Sequence, residues 1–173
     1  MKTVKRIITV LLIFTGLLII ASLFTPKSLK IEKQIMINRA TEEVFTEVTD
    51  FRNWTVWSYW FKIDPEMTND FSEEMGEVGS FNEWKSDHDY VGDGKQTVIE
   101  ITPSSYIKMK MEFGNMESND FAIWKFSTND DGSTKVVWSF EGQEMPFYFR
   151  LMSALFMKGM IEDSYENSLQ NLK

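Results

Sequence analysis

Residues 106–113, Y-I-K-M-K-M-E-F, alternate between apolar and charged side chains more regularly than any other stretch of the chain. The odd-numbered positions from 107 to 113 are apolar, and two lysines and a glutamate lie between them. Successive side chains on a β-strand point to opposite faces. The pattern therefore predicts a strand with one face on a core and the other in water.

Five more segments show the features of strands, either as alternation or as β-branched and aromatic runs between turn residues. They are residues 29–38, 78–84, 95–102, 121–128 and 134–141. The last two are separated by N-D-D-G-S, a sequence with strong turn chemistry, and so predict a hairpin. In its second strand Val136, Trp138 and Phe140 share one face.

Helical signals surround these strands. Thr41 is predicted to cap a helix that has two glutamates in its first turn, where acidic groups favour the helix dipole. Residues 50–60 contain three tryptophans and predict a short helix or a structured loop. From Pro146 to Leu172, apolar residues recur every three or four positions, which is typical of a long amphipathic helix. This element order predicts an α+β fold with helices on one face of an antiparallel sheet.

The N-terminus has a different character. Residues 7–24 contain no charge and would span roughly 27 Å as a helix, close to the hydrocarbon thickness of a bilayer. Three basic residues precede them, so a cleaved signal peptide followed by secretion is the alternative to a membrane anchor. The length of the run, and the lack of a clean small-x-small site after it, favour the anchor. We expect residues 1–29 to be anchor and linker, residues 30–173 the domain, and the N-terminus cytoplasmic with the domain exported.

Composition excludes several classes of function. The chain has no cysteine, so it has no disulfide, thiolate nucleophile or iron–sulfur cluster, and the single histidine rules out a histidine-rich metal site. The first 30 residues contain five basic and no acidic side chains, whereas the other 143 contain 13 basic and all 26 acidic ones, a net charge of −13. Phosphate backbones repel such a body, and we expect no nucleic-acid partner, no metal and no cofactor.

The sequence lacks a recognisable catalytic motif, whether G-x-S-x-G, H-E-x-x-H, a P-loop or G-x-G-x-x-G. His88 lies between two aspartates, which would raise its basicity as a general base needs. The same setting is more often that of a solvated loop histidine. If the protein is an enzyme, the candidate polar groups are His88, Tyr90 and Tyr165; no catalytic residue can be assigned.

The apolar excess, with 14 Phe, 11 Met, 6 Trp and 5 Tyr, has two explanations. Most of these residues belong to a core, but methionine-rich walls also repack around varied apolar ligands. A sheet gripping a long helix tends to leave a cavity between them. The candidate cavity residues are Trp84, Tyr90, Met109, Met111, Trp124, Trp138, Met152, Phe156 and Met160.

An ordered set of short motifs runs through the body. It comprises I-M-I-N-R-A at 35–40, E-V-F at 43–45, D-F-R-N-W at 50–54, W-S at 57–58, D-P at 64–65, V-G-S at 78–80, Trp84, V-G-D-G at 91–94, T-K-V-V-W at 134–138 and L-Q-N-L-K at 169–173. The set resembles the SRPBCC superfamily (START-like, Bet v 1-like), and more closely its polyketide cyclase/dehydrase-like branch. The resemblance implies a helix-grip fold, in which a curved antiparallel sheet wraps around a long C-terminal helix. It also implies a cavity for a lipid, sterol, polyketide or other hydrophobic molecule.

Together these features predict a membrane-tethered domain that binds a hydrophobic small molecule, lipid or polyketide-like, between sheet and C-terminal helix without catalysis. Two alternatives stay open. One is a cyclase- or dehydratase-like enzyme acting on a hydrophobic substrate. The other is a protein-interaction module with a solid core.

Overall fold

A computed structural model describes residues 2–114 and 116–173 of the chain. Helix α1, Lys2–Leu23, comes first and has nearly all of its side chains exposed. Its 22 residues would extend about 33 Å at 1.5 Å per residue. By length and composition α1 is able to cross a membrane, and a signal sequence would meet the same criteria.

The body is built on one antiparallel sheet, and the described residues form seven strands in the order β1-β7-β6-β5-β4-β3-β2. The strands are β1 Ser28–Ile37, β2 Thr68–Phe71, β3 Phe81–Lys85, β4 Gly94–Thr102, β5 Tyr106–Phe113, β6 Met116–Thr128 and β7 Thr134–Glu144. The first strand pairs with the last, so the sheet continues through a long-range contact between the two ends of the domain. The curved sheet and the long C-terminal helical segment confirm the predicted α+β, helix-grip-like fold.

The strand predictions need several corrections, among them that β6 begins at Met116 instead of Phe121 and β7 ends at Glu144 instead of Glu141. Strand β2 was not predicted, because T-N-D-F at 68–71 is short, mostly polar and lies at the edge of the sheet. Strand β3 begins at Phe81 instead of Val78. Gly79 has a φ of +97°, and the N–H of Ser80 donates to the carbonyl of Glu77, so the chain makes a turn where the strand was expected.

The helices between β1 and β2 are short. They are α2 Thr41–Thr49, a 3₁₀ turn at Phe51–Asn53, α3 Trp54–Trp57 and α4 Tyr59–Ile63. The prediction that Thr41 caps α2 is wrong, because Ala40 occupies the N-cap position. The Thr41 hydroxyl instead lies 2.6 Å from the hydroxyl of Thr128 and 3.0 Å from that of Thr134, and so links α2 to the β6–β7 hairpin.

The predicted C-terminal helix is confirmed as a continuous helical segment, made of α5 Phe147–Met152, a π-helical turn at Ser153–Met157 and α6 Lys158–Leu172. Its two halves have different neighbours. Helix α6 packs on β1 and on α4, whereas α5 packs against the N-terminal helix α1. A π-helical turn inserts an extra residue per turn and so rotates the faces of the two halves relative to each other.

Candidate functional site

The space between the sheet and α6 is filled by stacked aromatic rings. The ring centroids of Trp124 and Trp138 are 4.2 Å apart, and Tyr165 on α6 stacks on Trp138 at 3.6 Å. Trp54 and Trp57, from the helix before α4, meet the two sheet tryptophans edge-on at 5.8–6.4 Å. These five rings are all buried. The centre of the domain is therefore packed solid.

This aromatic core contains polar atoms that the protein does not satisfy. Among the described residues, none accepts a hydrogen bond from the indole N–H of Trp57, Trp124 or Trp138. Trp54 differs, because its N–H donates to the carbonyl of Val48 at 2.8 Å. Each buried donor without a partner reduces the free energy of unfolding by roughly 1–3 kcal/mol. Three such donors in one layer are unusual, because buried polar groups in protein cores are nearly always hydrogen-bonded.

The nine predicted cavity residues do not form one wall. Three are buried in the core, three are half-buried at its margin and three are exposed. The buried ones are Met109, Trp124 and Trp138; the half-buried ones are Trp84, Met111 and Met160; Tyr90, Met152 and Phe156 are 64%, 43% and 70% exposed. Among these nine residues, the direct stacking contact is that between Trp124 and Trp138.

Met152 and Phe156 are exposed because their part of the helical segment does not cover the sheet. Helix α5 lies beside α1, whereas the part of the segment that packs on β1 is α6. The exposed apolar side chains of residues 147–157 form an outward face instead of a lid on the strands. Met152 and Phe156 therefore lie away from the buried core, and their role as ligand contacts stays a prediction.

The three polar groups considered for catalysis are not assembled into a site. In the loop after β3, the Nδ1 atom of His88 accepts a hydrogen bond from the N–H of Tyr90 at 3.2 Å, and the two rings are 5.7 Å apart. Tyr165 lies in the buried stack, where loss of water raises the pKa of its phenol and keeps it neutral. The sequence placed these groups together only as candidates, and the fold separates Tyr165 from the other two.

A concave site lies where the linker after α1 meets the start of the helical segment; we call it the linker pocket. Its volume is about 240 Å³, and its apolar wall includes Leu29, Met145 and Ala154. The backbone ties its two sides together, because the N–H of Met145 donates to the carbonyl of Lys27 at 2.8 Å. This volume is somewhat below the 300–1,000 Å³ of typical ligand sites, so the pocket can hold one part of a larger molecule.

The polar groups of the linker pocket are all cationic or neutral in its described part. Lys30, Arg150 and Lys158 line it, together with Ser28 and Ser153. Ser153 is 1% exposed, and its Oγ has no hydrogen-bond partner among the described residues. The sequence analysis missed this site, although the basic linker and two basic residues on the nearby helix stand out against an acidic body.

A second, larger concavity of about 750 Å³ lies at the β3–β4–β5 end of the sheet and includes Trp84. Its lining is more polar and includes one ion pair: the Nζ of Lys95 lies 3.3 Å from the carboxylate of Glu83 and 4.2 Å from the centroid of the Phe81 ring. Paired charges on an open sheet face favour solvation over an apolar ligand. Across residues 2–114 and 116–173, no three histidine or carboxylate side chains come together as a metal site.

Residues 28–173 match the family described as polyketide cyclase / dehydrase and lipid transport. This match confirms the resemblance drawn from the sequence motifs and extends over the whole sheet and both C-terminal helices. No curated protein matches the sequence closely enough to count as a relative.

Several solved structures share the fold at low sequence identity. The Aha1 dimer from Colwellia psychrerythraea is 18% identical with a TM-score of 0.61, over 84% of this chain and 93% of that one. Norcoclaurine synthase from Thalictrum flavum, solved as a point mutant with a transition state analogue, is 11% identical with a TM-score of 0.59 over 84% and 94%. The di-domain ARO/CYC StfQ of the steffimycin biosynthetic pathway is 11% identical with a TM-score of 0.59, over 84% of this chain and 49% of that one.

Proposed function

This chain belongs to the polyketide cyclase / dehydrase and lipid transport family, and on that basis we propose that it is a membrane-tethered protein that binds a hydrophobic small molecule without transforming it. The family description covers both chemistry and lipid transport. Binding is the better fit for this chain, because Tyr165 is buried apart from His88 and Tyr90 while the linker pocket is concave and largely apolar.

The linker pocket is the observation that carries the proposal. It lies between the first strand and the C-terminal helical segment, and its wall of Leu29, Met145 and Ala154 gives an apolar group a place away from water. Removing apolar surface from water supplies about 25 cal/mol per Å², and a few polar groups at the rim set the orientation of the ligand. The pocket holds one end of the ligand, and the remainder extends out of it.

Only some of the predicted cavity residues are kept as proposed ligand contacts. Trp84, Met111 and Met160 are half-buried, and of these Met111 packs against the buried core. Trp84 lines the second concavity instead of the linker pocket, so we keep only Met111 and Met160 as proposed contacts. Met109, Trp124 and Trp138 would contact a ligand only if the core opened.

Helix α1 is proposed to remain on the protein as its anchor. Ser22, in the last turn of α1, is buried, and α1 packs along α5. Cleavage of α1 would therefore uncover an additional apolar surface on the mature domain. The short basic N-terminus favours a cytoplasmic start and an exported domain, with residues 1–29 as anchor and linker and residues 30–173 as the binding domain. The alternative is a secreted domain, which the molecular mass of the mature protein would reveal.

Native mass spectrometry of the full chain, extracted in mild detergent, tests the binding function. The wild type is expected to carry a hydrophobic adduct or to take up an added fatty acid at one copy per chain. Ala154→Phe places a ring in the linker pocket and is expected to abolish the adduct. Gln170→Phe adds the same ring at an exposed position of α6 and should leave binding intact. A wild-type chain that stays ligand-free with both fatty acids and fluorescent aromatic probes contradicts the proposal.

The solid aromatic core favours one competing function, a protein-interaction module. In that case the acidic body would meet a basic partner, and the linker pocket would be a by-product of how α1 joins the domain. Unaltered adduct formation in Ala154→Phe, or its absence in the wild type, is the result that this alternative predicts.

A further inference from the structure

We infer that the ligand of the linker pocket is an anionic membrane lipid, with its headgroup at the cationic rim of the pocket and part of an acyl chain on the apolar wall, and that the exposed apolar face of residues 147–157 lies in the bilayer interface beside α1. The inference rests on the proposed function, in that it names the ligand class of the same pocket and the direction from which the ligand enters.

The first observation is the charge of the pocket. Lys30, Arg150 and Lys158 converge on it, and none of its described lining residues is acidic. The carboxylate of Glu162 lies 3.8 Å from Lys158 in a partly exposed pair, and the β1–β7 pairing places Glu141 opposite Lys30. The Nε of Arg150 donates to the carbonyl of Met145 at 2.9 Å, which fixes the guanidinium at the pocket while its terminal nitrogens are left to an anion.

The second observation is Ser153, which is independent of the charges. A helical serine usually donates back to a carbonyl in the preceding turn, as Ser164 does to Met160 at 2.9 Å. Ser153 begins the π-helical turn, and its buried hydroxyl lacks any such partner in the described chain. A buried hydroxyl on the wall of a cationic pocket is a donor for an oxygen-rich headgroup, and π-helical turns are frequent at functional sites.

The third observation is the apolar face next to the pocket. Five large side chains of this short helical stretch are exposed: Phe147, Tyr148, Met152, Leu155 and Phe156. Contiguous exposed apolar surface on a protein marks an interaction site, and aromatic residues are characteristic of the membrane–water interface. The face adjoins the uncharged stretch of α1 from residue 7 onward, because α5 packs against α1, so one bilayer can cover both.

The charge distribution of the whole chain adds a reason for this location. The body carries a net charge of −13, and an anionic bilayer would repel it. The membrane-proximal end, in contrast, contains Lys27 and the three cations of the linker pocket. An anionic headgroup is therefore attracted only at the end of the molecule where α1 enters the bilayer.

Native mass spectrometry with lipid competition tests the headgroup. The full chain is mixed with equal amounts of phosphatidylglycerol and phosphatidylcholine that have the same acyl chains. Each Lys or Arg near an anionic surface contributes roughly a fivefold preference, so Arg150→Gln combined with Lys158→Gln should reduce the anionic preference about 25-fold. The matched control, Lys85→Gln with Lys125→Gln, removes two exposed lysines on strands β3 and β6 and should leave the preference unchanged.

The outcomes separate the two proposals. Equal binding of both lipids in the wild type overturns the headgroup inference and leaves hydrophobic binding standing, whereas no adduct with either lipid overturns the proposed function itself. Displacement of the lipid by inorganic phosphate alone would show a site for a free anion, which also overturns the lipid assignment. If Arg150→Gln combined with Lys158→Gln loses binding of both lipids equally, the two cations support folding instead of selecting the anionic headgroup, and the headgroup inference is overturned.

A depth measurement tests the apolar face separately. Since the chain has no cysteine, Phe156→Cys can be spin-labelled uniquely in the full chain reconstituted into vesicles. If this face lies in the bilayer, the spin label at position 156 should collide more often with oxygen, which dissolves in lipid, than with a water-soluble nickel reagent. Asp130→Cys, in the hairpin at the opposite end of the sheet, should show the reverse. Nickel-dominated collisions at position 156 would place this face in water and overturn that part of the inference.

Discussion

Gly94, the first residue of β4, is the position where the smallest possible substitution should have the largest local effect. It lies opposite Trp84 of β3 and Phe113 of β5. A Cβ atom added to Gly94 would come within 2.3 Å of the Cζ2 of Trp84 and 2.8 Å of the carbonyl oxygen of Glu112. Carbon atoms normally approach to about 3.5–4.0 Å, so the indole would have to move by roughly 1.2 Å or more.

That displacement has a definite cost in the free energy of unfolding. The Trp84 ring packs edge-on against Phe113 with centroids 6.4 Å apart, and the Glu112 carbonyl belongs to a strand paired on both sides. Overpacking of this kind costs about 1–3 kcal/mol, and the reduced flexibility of the unfolded chain returns about 0.4–1 kcal/mol. We expect Gly94→Ala to lose about 1–2 kcal/mol, which for a domain of this size lowers Tm by roughly 2–8 °C.

Thermal unfolding of the full chain in detergent, followed by the fluorescence of its six tryptophans, measures this change. Gly159→Ala is the matched control. No atom lies within 4 Å of the Cβ position at Gly159, which is inside helix α6, so alanine should stabilise by about 0.5–1 kcal/mol. If Gly94→Ala unfolds at the same temperature as the wild type, or is stabilised as Gly159→Ala is, the described packing of Trp84 over Gly94 is refuted.

Three other variants test the core and the titrating groups. Trp138→Ala removes the ring between Trp124 and Tyr165 and should cost about 3–5 kcal/mol in denaturant unfolding; a loss below 1 kcal/mol would contradict a solid stack. Burial raises the folded-state pKa of Tyr165 above its usual value near 10, so the neutral phenol contributes fully to the free energy of unfolding below pH 10. Above pH 10, the stability of the wild type relative to Tyr165→Phe should fall by about 1.4 kcal/mol per pH unit. A difference in stability that stays constant with pH would refute this. The Nε and Nη2 of Arg52 each donate at 2.7 Å to the carboxylate of Asp50 and hold the pKa of Asp50 below its usual value. The wild type should therefore be more stable than Asp50→Asn by at most about 1 kcal/mol, since the pair is partly exposed, and this difference should disappear as the pH falls below about 4. A difference that persists at pH 2 would contradict it.

Strand alternation was the part of the fold that the sequence predicted best. Residues 106–113 form β5 with the predicted boundaries, and Ile107 and Met109 on its predicted inner face are completely buried. The face shared by Val136, Trp138 and Phe140 is buried as predicted. These predictions succeed because a period of two and a buried face specify a strand locally, with no knowledge of its partners.

The candidate site was harder to predict, and the helical segment shows why. A three- and four-residue period shows that Met152 and Phe156 share an apolar face, but it does not say what covers that face. Sheet, α1 and lipid are all apolar partners, and the choice among them depends on where the helix crosses the sheet edge. The linker pocket likewise joins residues near position 30 with residues near position 154, which only the β1–β7 pairing brings together.

The prediction of wall residues met a related difficulty. Methionine and tryptophan on an inward strand face are compatible with a cavity and with a filled core, as the composition argument allowed. The difference depends on Trp54, Trp57 and Tyr165, whose rings come from helices and fill the space in front of the strands. A sequence pattern on the strands alone does not contain that information.

The central claim is that a hydrophobic molecule binds in the linker pocket, at the end of the domain where α1 begins. A photoactivatable phospholipid with a diazirine in its acyl chain, added at one equivalent to the detergent-solubilised full chain, tests this most directly once the crosslinked residues are mapped by mass spectrometry. The account predicts crosslinks at Leu29, Met145 and Ala154, and their loss in Ala154→Phe. Crosslinks confined to α1, or identical in the wild type and Ala154→Phe, would contradict it.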